Sequence, residues 1–407
     1  MGEIGISKEY KNSTLVKIPE EWKVNKLEDI VYLISGLHLG PEEYNKIGNG
    51  VPYFTGPTDY TNNPDQISKW TALKSVFAIK GDILLTVKGS GVGSLHQLHL
   101  DKVSIGRQIM AVRVKNTNSP VFIYNCLCQK DYHFQELAKG NMIPGLTRSD
   151  ILKTQITVPP SIEQYAIATC LSIIDETITK SNQLIAQKEL RTKWLMQQLL
   201  CGKKRLKGFG GEWKEYPYEK VLKVVKRNFN WDESKLYTLI SVRRRSGGIF
   251  FREPLYGHQI LVKNLRTANE GDFLFSKMQI LHGASALVTK EFSDAKISGS
   301  YIAVVAKEVK LLSMEYFQWY SRMPYFYHQT YISSYGVHIE KMTFDFETFL
   351  QLEMKLPSFE EQTAIVQVLQ TIENEIQLLK AKAEKLKEEK KGMMQLLLTG
   401  KKRLKII

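Results

Sequence analysis

The sequence predicts an α+β protein made twice. Two mixed domains are each followed by a long helix, and the two helices pair as an antiparallel coiled coil under a pseudo-two-fold internal repeat. Three observations predict this. Residues 158–207, from VPPSIEQYAIATCLSII to MQQLLCGKKRLK, return at 356–405 as LPSFEEQTAIVQVLQTI to MQLLLTGKKRLK, 198 positions on and without a gap. Both copies space their apolar residues by alternating fours and threes. Short β-type runs fill the stretch before each copy. A repeat at so long a period means two modules in tandem, because solenoid units recur about every 20–50 residues.

The repeat extends into the mixed domains. Glu21-Trp22-Lys23 answers Glu212-Trp213-Lys214, and Gly81-Asp82-Ile83-Leu84 answers Gly271-Asp272-Phe273-Leu274. Ile105-Gly106 and the run IMAVRV answer Ser298-Gly299 and YIAVVA. Runs rich in β-branched and aromatic residues, bounded by Gly and Pro, predict strands. In the first domain these are VPYF (51–54), DILLTV (82–87), IMAVRV (109–114) and TQITVP (154–159). In the second they are YTLISV (237–242), DFLFS (272–276), ALVT (286–289) and YIAVV (301–305). Aromatic-rich helices are expected near 120–138 and 313–328. The strands are too unevenly spaced for a doubly wound sheet.

The long helices carry the clearest pattern. Ile167, Leu171, Ile174, Ile178, Ile185, Leu195 and Leu199 make the first stripe. Ile365, Leu369, Ile372, Ile376, Leu379, Ala383, Leu386, Met393 and Leu397 make the second. This is a heptad seam. Pro160 and Pro357 mark the starts. Ser161 with Gln164, and Ser358 with Glu361, have capping-box spacing. Gly202 and Gly400 mark the stops. About 40 residues make a rod of roughly 60 Å. Such a rod with a narrow apolar stripe needs a partner, and its own repeat is the nearest one. Two-fold symmetry across the helices makes that pair antiparallel. Ser181, Lys188 and Thr192 interrupt the first stripe, which leaves imperfect pairing or contact with another protein open.

Composition narrows the class. There is no apolar run of about 18 residues, so no membrane span is expected. The N-terminal MGEIGISKEYKN lacks the basic-then-apolar layout of a secretory signal, so a cytoplasmic location is expected. Four cysteines do not make a disulfide framework in 407 residues. Cys126, Cys128 and His133 lie in VFIYNCLCQKDYHFQEL, which reads as an amphipathic helix; a CxC without a second pair is a weak zinc signal. A formal net charge of +14 favours a polyanionic partner.

No catalytic motif is visible. G-x-x-x-x-G-K-[ST] and H-E-x-x-H are absent. Asn63-Pro64-Asp65-Gln66 is not an amino-methyltransferase motif, and Asp294-Ala295-Lys296 is a tripeptide that chance supplies. His96 and His99 read as a loop or strand edge.

Nucleic-acid features are better developed. Lys88-Gly89-Ser90-Gly91-Val92-Gly93-Ser94 follows a strand and is either a phosphate-approaching loop or a plain hairpin loop. Arg107-Gln108 opens a strand, and Arg and Gln are the side chains that pair bidentately with guanine and adenine edges. Arg148 is a third candidate, and Thr55 a fourth. In the second half, Arg243, Arg244 and Arg245 stand together beside Gly247-Gly248, with Arg252 close behind. Lys277, Gln279, His282 and His338 complete the set. The GKKRLK tails at 202–207 and 400–405 suit either phosphate or a protein partner.

Taken in order, these segments resemble the DNA-sequence specificity subunit of type I restriction–modification systems. The resemblance rests on IPEEWK at 18–23, GVPYFTGPTDY at 50–60, KGDILLTVKGSGVG at 80–93, GLTRSDILKTQITVPP at 145–160, Glu-Gln at 163–164 and 361–362, and both helix-plus-basic tails. It covers nearly the whole chain. It implies target-recognition domains at 1–158 and 208–356, and conserved helical regions at 159–207 and 357–407. Each domain would read one half of a split, asymmetric site on double-stranded DNA. The helices would act as a ruler and dock two methylation subunits, with restriction (motor–endonuclease) subunits joining them. This chain would be non-catalytic and bind no cofactor. S-adenosylmethionine, and ATP with Mg for restriction, would enter through the partners. The second domain departs from the pattern: it opens with YTLISVRRR in place of a GVPYF counterpart, so the two halves should read different bases. The rival reading is a coiled-coil scaffold without sequence-specific DNA binding.

Overall fold

The structure is a computed structural model that describes residues 10–14, 17–73, 76–115, 118–139, 145–336, 338 and 342–404. Most of the N-terminal segment read for a signal, and Lys405 of the second basic tail, lie outside the described residues. The chain forms two compact units, residues 1–182 with 381–407 and residues 183–380. Each long helix, Ser161–Leu199 and Phe359–Leu397, therefore contributes one part to each unit.

In the first unit, the central sheet has the order Val31–Ser35, Ile109–Val114, Ile83–Thr86, Leu95–Gln97, all antiparallel. Ile83–Thr86 is buried on both faces, which is why its sequence does not alternate. Ile83 and Leu85 face a core with Phe122, Ile123 and Phe134. Leu84 and Ala111 face a second core with Phe54, Val103 and Ile105. That second core is roofed by another sheet, ordered Trp70–Thr71, Val51–Phe54, Lys102–Ile105, Phe77–Ile79. The expected helix at 120–138 is two helices, Pro120–Cys128 and Asp131–Ala138. The break comes where Lys130 donates to Leu127 O and tightens the last turn.

The second unit repeats the central sheet: Leu222–Val225, Tyr301–Ala306, Phe273–Ser276, Ser285–Leu287. The ALVT run thus begins its strand one residue earlier than expected and ends at Leu287. The roof differs. Three two-stranded ribbons replace it: Leu236–Tyr237 with Leu255–Tyr256, Ile240–Val242 with Ile249–Phe251, and Leu265–Thr267 with Lys296–Ser298. YTLISV is consequently split between two ribbons. The 313–328 helix also divides, into Met314–Tyr320 and Pro324–Ile332, because Pro324 cannot continue a helix but opens one well.

Within each unit the two long helices run antiparallel. Asp175 pairs with Lys390 at 2.7 Å in the first unit; in the second, Lys188 pairs with Glu375 and Glu189 with Lys380, each at 2.7 Å. Ile167 and Leu171 are buried in the same core as Leu397, and Ile365 and Leu369 in the same core as Leu199. Ile376 is buried, while Ile174, Ile178, Leu195, Ile372 and Leu386 are half-buried. The interruptions at Lys188 and Thr192 are filled by polar contacts: Lys188 meets Glu375, and the buried Thr192 hydroxyl donates to Lys188 O at 2.8 Å.

The helix ends correct two expectations. The first helix starts at Ser161, so position 160 caps it and no box forms with Gln164. Gln164 instead accepts from Ser119 N at 3.0 Å and donates to Pro159 O at 2.9 Å. Gln362 repeats this, accepting from Ser313 N at 2.9 Å and donating to Pro357 O at 3.1 Å. Ser358 does cap, accepting from Glu361 N at 3.3 Å. The carboxylate of Glu361, however, is held by Arg205, at 2.6 and 2.5 Å. Glu163 is held in the same way by Arg403. The basic tails are therefore structural at their arginines, because each arginine neutralises a carboxylate that is 1% exposed. Gly202 (φ 67°) and Gly400 (φ 72°) end the helices in the left-handed region, as expected.

Candidate nucleic-acid interface

The first unit gathers its candidate residues at one end of the central sheet. Lys102–Ile105 of the roof leads to Ile109–Val114 of the central sheet through a β-turn closed by Ile109 N to Gly106 O at 2.9 Å. Arg107 and Gln108 are the two corner residues of that turn, and both are exposed. Glycines let the turn sit deep. A β-carbon at Gly36 would lie 2.2 Å from Gly106 O, and one at Gly56 would lie 3.2 Å from Gln108 Oε1.

Lys88 and Ser90 are exposed on the adjoining loop. The amides of Val92, Gly93 and Ser94 are spent on carbonyls within that loop or its strand, so they make no phosphate cradle. Gly91 presses on the turn after Thr55: a β-carbon there would come within 2.5 Å of Pro57 Cγ. Thr55 itself is occupied. Its N and Oγ1 donate to Asp59 Oδ2 at 2.7 and 2.6 Å, and Lys69 Nζ donates to its Oγ1 at 2.9 Å. Burial alone would raise the Asp59 carboxyl, but the bonds from Thr55 and Lys69 outweigh it and hold it below the usual range.

Arginines in this chain fall into two groups. Arg113 binds Asp82, Arg227 binds Asp272, Arg322 binds Glu373, and Arg205 and Arg403 bind the helix-start glutamates. Arg148 reaches Ser35 Oγ at 2.9 Å and Leu33 O at 3.0 Å, so its fork is used on the edge strand. By contrast, Arg107, Arg244, Arg245 and Arg252 are exposed and have no carboxylate within ion-pair distance among the described residues.

In the second unit, the Arg243–Gly248 loop closes a hairpin, with Arg243 N donating to Gly248 O at 2.9 Å. Arg245 and Ser246 take left-handed backbone angles (φ 57° and 53°). Two bonds hold that strained tip, Arg245 N to His282 O at 2.6 Å and Ser246 N to Gly283 O at 2.9 Å. Ser246 Oγ also meets Tyr327 Oη at 2.7 Å. The structure thus brings Arg245 and His282 together through their backbones, with Arg244 preceding Arg245 on the loop. Arg243 folds back over Phe250, 4.5 Å from the ring centroid, and donates to Ile249 O. Gln279 is half-buried in the turn before His282. Lys277 lines a different groove, of about 880 Å³, with Lys226, Arg266 and Tyr335. His338 is exposed. Sequence reading passed over Lys226 and Arg266, because single cations in strand-like runs carry no pattern.

Two units of one plan, each presenting at its loop end arginines without a carboxylate partner among the described residues, define a tandem-module class of polyanion reader. The model of the type I restriction modification DNA specificity domain matches residues 19–189 and 230–388. The chain belongs to that family. It is 24% identical to the type I restriction enzyme MjaVIII specificity subunit of Methanocaldococcus jannaschii, over 97% of this chain and 96% of that one. The putative MjaX specificity subunit of the same organism is 30% identical over 203 residues; there the chain spans about half the relative, 47% of its length. The S subunit of the M. genitalium type I restriction–modification system has the same fold, with a TM-score of 0.61 at 14% identity over 98% of this chain and 99% of that one. So does a chain from a structural study of complex assembly and conformational transition of the type I R-M system, with a TM-score of 0.57 at 16% identity over 94% and 99%. Among the described residues, no helix is long and apolar enough to cross a membrane.

Proposed function

We propose that this chain is the sequence-reading subunit of a type I restriction–modification complex, and that each unit reads one half of a gapped, asymmetric site on double-stranded DNA. The observation that carries the reading is the Gly106–Ile109 turn. It presents an arginine, without a carboxylate partner among the described residues, and a glutamine side by side at the end of the central sheet, which is the donor and acceptor set that base edges require. Lys88 beside it, and Arg244 and Arg245 in the second unit, position the duplex through its phosphates. Exposed faces of the long helices dock two methylation subunits, which bring S-adenosylmethionine to adenine. Restriction subunits, with ATP and Mg, join the same assembly in the cytoplasm. The chain itself supplies recognition and no chemistry.

The test is to express the chain with its methylation subunit and map modified adenines across a host genome. A two-part motif with an unread gap supports the reading. A contiguous motif, or none in a properly assembled complex, favours the scaffold alternative.

A further inference from the structure

The second unit has no counterpart of the Arg107–Gln108 pair. Strand register fixes the comparison: Ile109 faces Thr86, and Tyr301 faces Ser276. Val87 donates its N–H to Gln108 O, and Lys277 donates its own to Ser300 O in the corresponding place. Gly299 and Ser300 therefore stand where Arg107 and Gln108 stand, and neither has the reach of an arginine. The sequence match of Gly106 with Gly299 is off by one for this reason.

A different segment rises beside that turn. Gly257 is seated so closely on Asp232 that a β-carbon would lie 2.2 Å from its carbonyl oxygen. Ile260 is buried with Tyr237 and Leu239, and Leu265 enters a strand opposite Ser298. Between these two anchors Leu261 is 96% exposed and Val262 66%. Asn264 is also exposed and lies on the turn: a β-carbon at Gly299 would come within 2.8 Å of its Nδ2. With Arg252 and Lys296 these residues line a cleft of about 570 Å³.

Aliphatic side chains held out on a pinned loop, with the exposed Arg252 at its base while Lys296 Nζ is spent on Thr267 Oγ1 and Asp294 O, match a partner that is anionic overall and carries small apolar groups. Duplex DNA is such a partner, since the thymine C5-methyl is the apolar group its major groove displays. Asparagine pairs bidentately with the N6 and N7 of adenine. One A·T pair offers both complements. Resting on the DNA-reading function above, we propose that the Leu261–Asn264 loop is the base-reading element of the second unit. It reads an A·T pair, with Leu261 and Val262 against the thymine methyl and Asn264 on the adenine edge.

The experiment uses the complex with its methylation subunit and duplexes carrying the mapped motif. Thymines of one half-site at a time are replaced by deoxyuridine, which removes only the C5-methyl. In the half-site that Arg107→Ala leaves unchanged, the uracil duplex should bind about fourfold more weakly. Leu261→Ala with Val262→Ala should abolish that difference. Asn264→Ala should relax one A·T position there by about 5- to 150-fold in discrimination. The inference is overturned if that half-site has no A·T pair, if the thymine–uracil difference survives the double substitution, or if the variants alter the other half-site. A complex that modifies no motif overturns the DNA-reading function, and this inference with it.

Discussion

Glu163 and Arg403 form a two-pronged ion pair, Nε to Oε1 at 3.0 Å and Nη2 to Oε2 at 2.7 Å, that ties the start of the first long helix to the tail of the second. Trp22 Nε1 donates to the same carboxylate at 3.1 Å. Glu361 and Arg205 repeat the pair in the second unit, but there Trp213 Nε1 is buried without a hydrogen-bond partner among the described residues. Removing Glu163 leaves Arg403 only the more exposed Glu21, at 2.7 Å, and strands the buried Trp22 indole. Glu163→Ala should therefore destabilise the first unit by about 3–5 kcal/mol. Glu361→Ala should cost less, since it forfeits no indole bond and Arg205 is the more exposed arginine, 25% against 10%. Denaturant unfolding of the two variants checks the order.

Arg107→Ala and Gln108→Ala should fold normally, because both side chains project from turn corners into solvent. Each should relax one half-site by about 1–3 kcal/mol per lost base contact and leave the other half alone. Motif mapping of the two variants is the measurement, and an unchanged motif in both would remove the turn from the interface.

Gly36→Ala should be damaging although its site is far in sequence from the turn. The new methyl would collide with Gly106 O, so the turn must move or the sheet must strain, at a cost of about 1–3 kcal/mol. Recognition of the first half-site should weaken in step. Gly210→Ala is the control: nothing lies within 4 Å of its β-carbon, and it should change stability by no more than about 0.5 kcal/mol.

His96 supplies a pH signature. Burial lowers its pKa, with His99 adding to the effect, and its ring stacks on Tyr60 at 5.2 Å. The unfolded chain takes up this proton near pH 6.5, and the folded chain only at lower pH. The unfolded state thus binds more protons in that window, and stability falls as pH drops below about 6.5. The melting temperature of His96→Phe should fall less than that of the wild type between pH 7.5 and 5.5.

The duplicated plan was legible because burial dictates residue type. Ile83–Thr86 and Phe273–Ser276 are buried throughout and apolar except at Thr86 and Ser276 since both faces are covered, and Ile167, Leu171, Ile365 and Leu369 recur at helical spacing since one face is. Polar networks were not legible. That Arg403 would serve Glu163, or Arg148 the carbonyl of Leu33, depends on contacts across 240 and 115 residues, and an arginine looks the same in a sequence whether it is paired or free. Arg107 and Gln108 were expected to open a strand; they stand instead on the turn before it, because the strand begins at Ile109, where pairing with Thr86 starts. The Leu261–Asn264 loop was missed because exposed leucine and valine read as strand or core until their surroundings are known.

The most direct measurement is the modified motif of the complex, compared among wild type, the Arg107→Ala Gln108→Ala pair and Asn264→Ala. A two-part gapped motif is expected, with the first variant loosening only one half and the second only the other. A single continuous motif, or one in which both variants loosen the same bases, would contradict the account.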